Sequence, residues 1–124
     1  MKDHKDLVVW RKSIDFAGEI YSITKEYPRE EQFGLVTQLR RAVVSISANI
    51  AEGASRKSRK EYLHFLYIAR ASASELDTLL EISIRTSMLK NEIISNAKKN
   101  NLVLIKMLTA LIKRLSKLQT GSHI

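Results

Sequence analysis

The chain has 124 residues, enough for one domain with a substantial core, and 21 Lys and Arg against 13 Asp and Glu give it a formal net charge of +8 and a pI near 9.9. It has no cysteine, which excludes disulfides and thiolate metal sites and points to an intracellular protein. One proline and four glycines leave little punctuation, favouring long helices over many short strands.

A first helix is predicted from about Asp6 to Glu26, with Asp6 as its N-cap. Leu7, Trp10, Ile14, Ala17 and Tyr21 form one apolar row at helical spacing, and Val9, Phe16, Ile20, Ile23 and Tyr27 form a second. Together they cover a wider arc than one intramolecular seam needs. Gly18 costs such a helix about 1 kcal/mol relative to Ala, which suggests a close helix contact there. The helix must end near Tyr27, because Pro28 disfavours the α conformation in the residue before it. The charged N-terminus, Met-Lys-Asp-His-Lys-Asp, leads into Arg11, Lys12 and Asp15 and contains no signal-peptide core.

The second helix, predicted over 30–54, organises the chain. Leu35, Leu39, Ala42, Val43, Ile46 and Ile50 make an apolar face. Beside it Gln38, Arg41, Ser45, Asn49 and Glu52 follow one another at steps of three or four as a polar stripe. A third face holds Val44, Ser47, Ala48 and Ala51 with Arg40 as its one charge. So few charges predict a helix buried nearly all round, the third face against another subunit. The uncharged run from Ala42 to Ala51 falls far short of the roughly 20 residues a membrane span needs, so a soluble cytoplasmic protein is expected.

Ser58-Arg59-Lys60-Glu61 is a capping box that starts a third helix over 59–88, with Tyr62, Phe65, Leu66, Ala69, Ala73, Leu76, Leu80 and Ile84 as core positions and Glu81–Arg85 as an i,i+4 pair. Asn91 can cap a fourth helix over 91–118, in which Leu104, Leu108, Leu111, Leu115 and Leu118 repeat at coiled-coil spacing. Lys98, Lys99, Asn100 and Asn101 weaken its middle and predict a bend or a late start. Four amphipathic helices with short turns make an all-α, antiparallel up-down-up-down four-helix bundle the simplest fold, in one domain spanning 1–124.

With these helices placed, the chain resembles the four-helix-bundle proteins of the 23S rRNA intervening-sequence family, which is similar to the accessory variability determinant of diversity-generating retroelements. The matching residues are Val9-Trp10 with Lys12, Pro28 followed by Phe33-Gly34-Leu35, Gln38-Leu39-Arg40-Arg41-Ala42 into Ser45-Ile46, then Ala48-Asn49-Ile50-Ala51-Glu52-Gly53, and later Ala69, Ser72 and Glu75-Leu76. Ser47 departs from the proline usual there. The resemblance implies a ring-like homopentamer with a central channel and, for the retroelement branch, binding of a reverse transcriptase and of nucleic acid. For the intervening-sequence branch it implies no established activity.

Catalytic patterns are weak. Glu61-x-x-His64 has the spacing of a di-iron helix motif but lacks the second motif and the further carboxylates such a site needs. Ser95-x-x-Lys98 has no partner motif, no phosphate loop occurs, and His4, His64 and His123 are scattered. No enzyme, metal site or cofactor is expected. The polar stripe admits three readings: a network in which Arg41 pairs with Glu75 or Glu52 while Gln38, Ser45, Asn49 and Ser72 fill the remaining hydrogen bonds, a subunit seam, or a ligand-binding channel.

Positive charge gathers at one end of the predicted bundle. Lys2, Lys5, Arg11, Lys12, Arg56, Lys57, Arg59, Lys60, Lys113, Arg114 and Lys117 stand there against Asp3, Asp6, Asp15, Glu52 and Glu61, and eleven minus five is +6 of the total +8. Two functional classes follow. One is a basic oligomeric scaffold that binds RNA, DNA or a ribonucleoprotein; the other is a structural assembly protein that binds another protein through its helical faces.

Overall fold

The computed structural model describes His4 and residues 7–121, the side chains as far as Leu118. These residues form four α-helices, α1 (Val8–Thr24), α2 (Leu35–Ala54), α3 (Arg59–Arg85) and α4 (Asn91–Gly121), with a short 3-10 turn at Arg29–Glu31. No strand occurs among the described residues.

Asp6, expected to cap α1, lies outside the described residues, and Leu7 occupies the N-cap position without a side-chain bond. The second apolar row of α1 is the core row: Val9, Phe16, Ile20 and Tyr27 are buried, whereas Ile14 and Tyr21 of the first row are exposed. α2 starts five residues later than its acidic lead-in predicted. Gly34, at φ −113° and ψ −110°, breaks the helical run, and the Glu31 carboxylate accepts the Leu35 N–H at 3.3 Å. At the start of α3 the Ser58 hydroxyl accepts the Glu61 N–H at 3.1 Å, the first half of the capping box. The Glu61 carboxylate does not return to the Ser58 N–H; it lies 3.5 Å from the Ser58 hydroxyl and 3.7 Å from Arg56. α3 ends at Arg85 rather than near Met88, because Ser87 takes a positive φ of 56° and the Met88 N–H turns back to the Ser83 carbonyl.

The hydrogen bonds between helices fix the topology. Ser13 meets Ser47 and Thr24 meets Arg40, so α1 and α2 run antiparallel. Ser45 meets Ser72 while Gly53 lies against Tyr62 and Phe65, so α2 and α3 do too. Glu81 to Lys98 and Arg70 to Thr109 do the same for α3 and α4, and Glu19 bonds Asn100 across the closing pair. The bundle is up-down-up-down. Ser47 is buried and shares its 2.8 Å bond with the equally buried Ser13, a polar pair that no proline could form.

α4 is continuous from Asn91 to Gly121, without the predicted bend. Asn101 is fully buried and donates Nδ2 to the Ala73 carbonyl at 2.8 Å, so the polar interruption is held inside the seam. Nearly one turn earlier, Lys98 ties α4 to α3 through Glu81 at 2.9 Å and Asp77 at 3.4 Å. The hydrogen bond from Lys98, then that from Arg85, lowers the Glu81 pKa, and the bond to Glu81 raises that of Lys98. The signs set two limbs. A lowered carboxyl stabilises above its ordinary pKa and loses that contribution as pH falls through the folded value; a raised ammonium stabilises below its ordinary pKa and loses it as pH rises through the folded value. Lys98→Met should therefore flatten both limbs in melts across pH, with a small loss at neutral pH because the pair is partly solvated. Limbs unchanged in the variant would show that this cluster contributes nothing to stability.

Candidate nucleic-acid interface and polar stripe

Because the helices alternate in direction, the start of α1, the α2–α3 turn and the end of α4 share one end of the bundle. Two contacts confirm it: Arg114 of α4 acts electrostatically on Tyr62 of α3, and it lines an apolar groove with Leu7 and Val8 at the start of α1. Burial raises the Tyr62 pKa, and Arg114 opposes that shift. Of the cations expected here, Lys2 and Lys5 lie outside the described residues. The nine that remain are Arg11, Lys12, Arg56, Lys57, Arg59, Lys60, Lys113, Arg114 and Lys117, against Asp15, Glu52 and Glu61; nine minus three leaves +6.

Local geometry divides them. Arg56 is committed within the chain, bridging Glu52 and Glu61 and stacking over the Phe65 ring at 4.7 Å. It pairs with both acids of the turn and holds the turn's shape, which makes it a poor phosphate ligand. Lys57, Arg59 and Lys60 are exposed and make no ion pair among the described residues. Arg59 and Lys60 stand in the first turn of α3, at the positive end of its dipole, where cations are locally unfavourable and an anion is favoured. Lys113, Arg114 and Lys117 are exposed on the C-terminal third of α4, short of its last turn. Lys12 lines a small cleft with Asp15 and Glu19, which offsets its charge.

The polar stripe of α2 is only in part the network expected. Ser45 shares a 2.8 Å bond with Ser72, and the Asn49 amide donates to the Ser45 carbonyl and hydroxyl at 2.8 and 3.0 Å. Arg41 reaches neither Glu75 nor Glu52. It is exposed and makes no ion pair among the described residues, as is true of Glu75, while Glu52 is taken by Arg56. Gln38, Arg41, Ser45, Ser72 and Glu75 line an open groove of about 470 Å³ between α2 and α3. Nor is α2 buried all round within one chain: Val44 is 46% exposed and Ala48 is exposed. Arg40 is the better anchored arginine, donating to the Thr24 hydroxyl at 3.0 Å and stacking over Tyr21 at 4.5 Å. Neighbouring arginines in one helix thus have opposite roles, which spacing alone did not separate.

Among the described residues no three His, Asp or Glu side chains converge as a metal site, and no helix is long and apolar enough to cross a membrane. The fold and its site define a class: a small all-α antiparallel bundle with its positive charge gathered at one end. The model of the 23S rRNA-intervening sequence protein family matches residues 5–110, and the chain belongs to that family. It is similar, at 33% identity and a TM-score of 0.80 over 86% of this chain and 96% of the other, to the crystal structure of a protein of unknown function from the S23 ribosomal protein family of Bacteroides thetaiotaomicron VPI-5482. No curated protein matches the chain.

Proposed function

We propose that the protein is a non-enzymatic, basic oligomeric scaffold that binds RNA or DNA through the end formed by the α2–α3 turn and the C-terminal end of α4. The observation that carries this reading is the trio Lys57, Arg59 and Lys60, exposed, without ion pairs among the described residues, and held at the positive end of a helix dipole. Folding gains nothing from that placement, and a phosphate would gain from it. Arg11, Arg114, Lys113 and Lys117 extend the positive surface. No aromatic residue lies between Ala54 and Glu61 to stack on bases, so contacts go to phosphates and sequence preference is weak. A homopentamer, and service as an accessory factor to a reverse transcriptase, are parts of the proposal that rest on the family resemblance. In a ring each copy repeats the patch, and avidity raises the apparent affinity.

Fluorescence anisotropy with single-stranded and duplex RNA and DNA across a salt series tests it. The triple variant Lys57→Ala, Arg59→Ala, Lys60→Ala should bind more weakly, and its salt slope on duplex DNA should fall by about 2–3, since each lost phosphate contact removes about 0.9. Affinity and slope equal to the parent's would place the contact elsewhere. If the parent binds nothing at low salt, a protein-binding assembly factor replaces this reading.

A further inference from the structure

The geometry points to a specific seam between copies of this chain: the outer crest of α3 of one copy packs into the α1–α2 groove of the next, with Glu75 of the first paired to Arg41 of the second. This inference rests on the proposal that the protein assembles as a homo-oligomer and names the surfaces that do it.

Two faces of the chain are apolar, exposed and matched in character. On α1 and α2, Ile14, Tyr21 and Val44 are 43%, 39% and 46% exposed, and the α1–α2 register that brings Ser13 to Ser47 and Tyr21 to Arg40 places them along one groove beside exposed Ala48. On α3, Tyr67, Ala71, Thr78 and Ile82 recur at helical spacing as an exposed outward crest. Ala48 and Ala71 are small enough to let two helix backbones approach. Arg41 borders the first face beside Tyr21 and Val44, Glu75 lies between Ala71 and Thr78 on the second, and neither makes an ion pair among the described residues; Arg70, which stacks over Tyr67 at 5.2 Å, bonds Thr109. Arg40 is likewise already held, by Thr24 and Tyr21.

Height settles which copies can meet. Arg41 and Glu75 line the same α2–α3 groove, so they stand at one level along the bundle. A rotation about an axis parallel to the helices preserves level, so it brings Glu75 of one copy to Arg41 of its neighbour. Because the two faces differ, the contact is heterologous, the kind that closes into a ring. Desolvated at such a seam, the pair contributes to association and fixes the register, which an exposed pair does only weakly.

Light scattering on the full chain at micromolar concentration is the test, with circular dichroism to verify folding. The parent should have a mass several times 14.2 kDa. Arg41→Glu and Glu75→Arg each place like charges across the seam and should weaken self-association at least about a hundredfold. The double variant should recover it, and a mixture of the two single variants should associate more tightly than either alone, because every seam between unlike copies pairs opposite charges at positions 41 and 75, although a ring of five keeps one seam between like copies. Ala71→Gln, on an exposed helical crest of the free chain, should dissociate the assembly by bulk. A monomeric parent would overturn the oligomer and the seam together. An oligomeric parent whose mass none of these variants changes would overturn the seam alone. Recovery in the double variant beside a mixture that associates no more tightly than either single variant would assign Arg41–Glu75 to a single chain and overturn it as well.

Discussion

Asn101→Asp should cost about 3–5 kcal/mol near neutral pH, the penalty for an uncompensated buried charge. The side chain keeps its shape but loses the Nδ2 donor that reaches the Ala73 carbonyl at 2.8 Å, and its two oxygens face a fully buried site. Burial raises the folded pKa of such a carboxyl, so the cost is small below the ordinary carboxylate range, grows as pH rises through it, and levels off above the folded value. Asn101→Leu has the opposite sign. The Asn101 Oδ1 is buried without a partner among the described residues; an apolar side chain removes that penalty of about 1–3 kcal/mol and gives up an Nδ2 bond worth about 0.5–1.5, so a net gain of about 1 kcal/mol is expected. Thermal melts at pH 4 and pH 7 of parent and both variants decide it. If Asn101→Asp melts as the parent does at pH 7, water reaches residue 101 and α4 is not packed there as described.

Asn101 also shows where sequence reading stopped short. The leucines at 104, 108 and 111 extend backward without a break through Asn101, Ala97 and Ile94 at steps of three and four, and all six positions are buried. The spacing was legible; the polarity of Lys98 to Asn101 suggested a bend, yet only Asn101 of those four points inward. The helices, their order and the basic end followed from periodicity, Pro28 and the Ser58 capping signal. The exact start of α2 did not, because acidic residues at 30 and 31 suit a helix start, while they form a separate 3-10 turn and Gly34 stands at the N-cap of α2. The candidate site was legible as charge and not as geometry. Glu52, Arg56 and Glu61 are three charges of one turn, and only the folded turn shows that they pair with one another and leave Lys57, Arg59 and Lys60 facing outward.

Gly53→Val should destabilise by about 2–3 kcal/mol while Gly18→Ala should stabilise by about 0.5–1, a reversal of where the sequence suggested a close contact. A Cβ on Gly53 would lie 3.0 Å from the Phe65 Cβ, 3.1 Å from the Tyr62 ring and 3.2 Å from the Tyr62 carbonyl oxygen. Two of these neighbours are fixed to the backbone of α3, so relief requires the two helices to separate at this point. That movement would also disturb the turn that carries Arg56 and the basic trio. A Cβ on Gly18 meets nothing within 4 Å, so Ala there gains helix propensity without a clash. Melting temperatures of the two variants measure both signs, and anisotropy on the Gly53 variant reports whether the turn's shape matters to binding. Equal stability of Gly53→Val and parent would mean that α2 and α3 do not approach at Gly53 as closely as these contacts of 3.0 to 3.2 Å require, and the packing that sets the basic end would have to be redrawn.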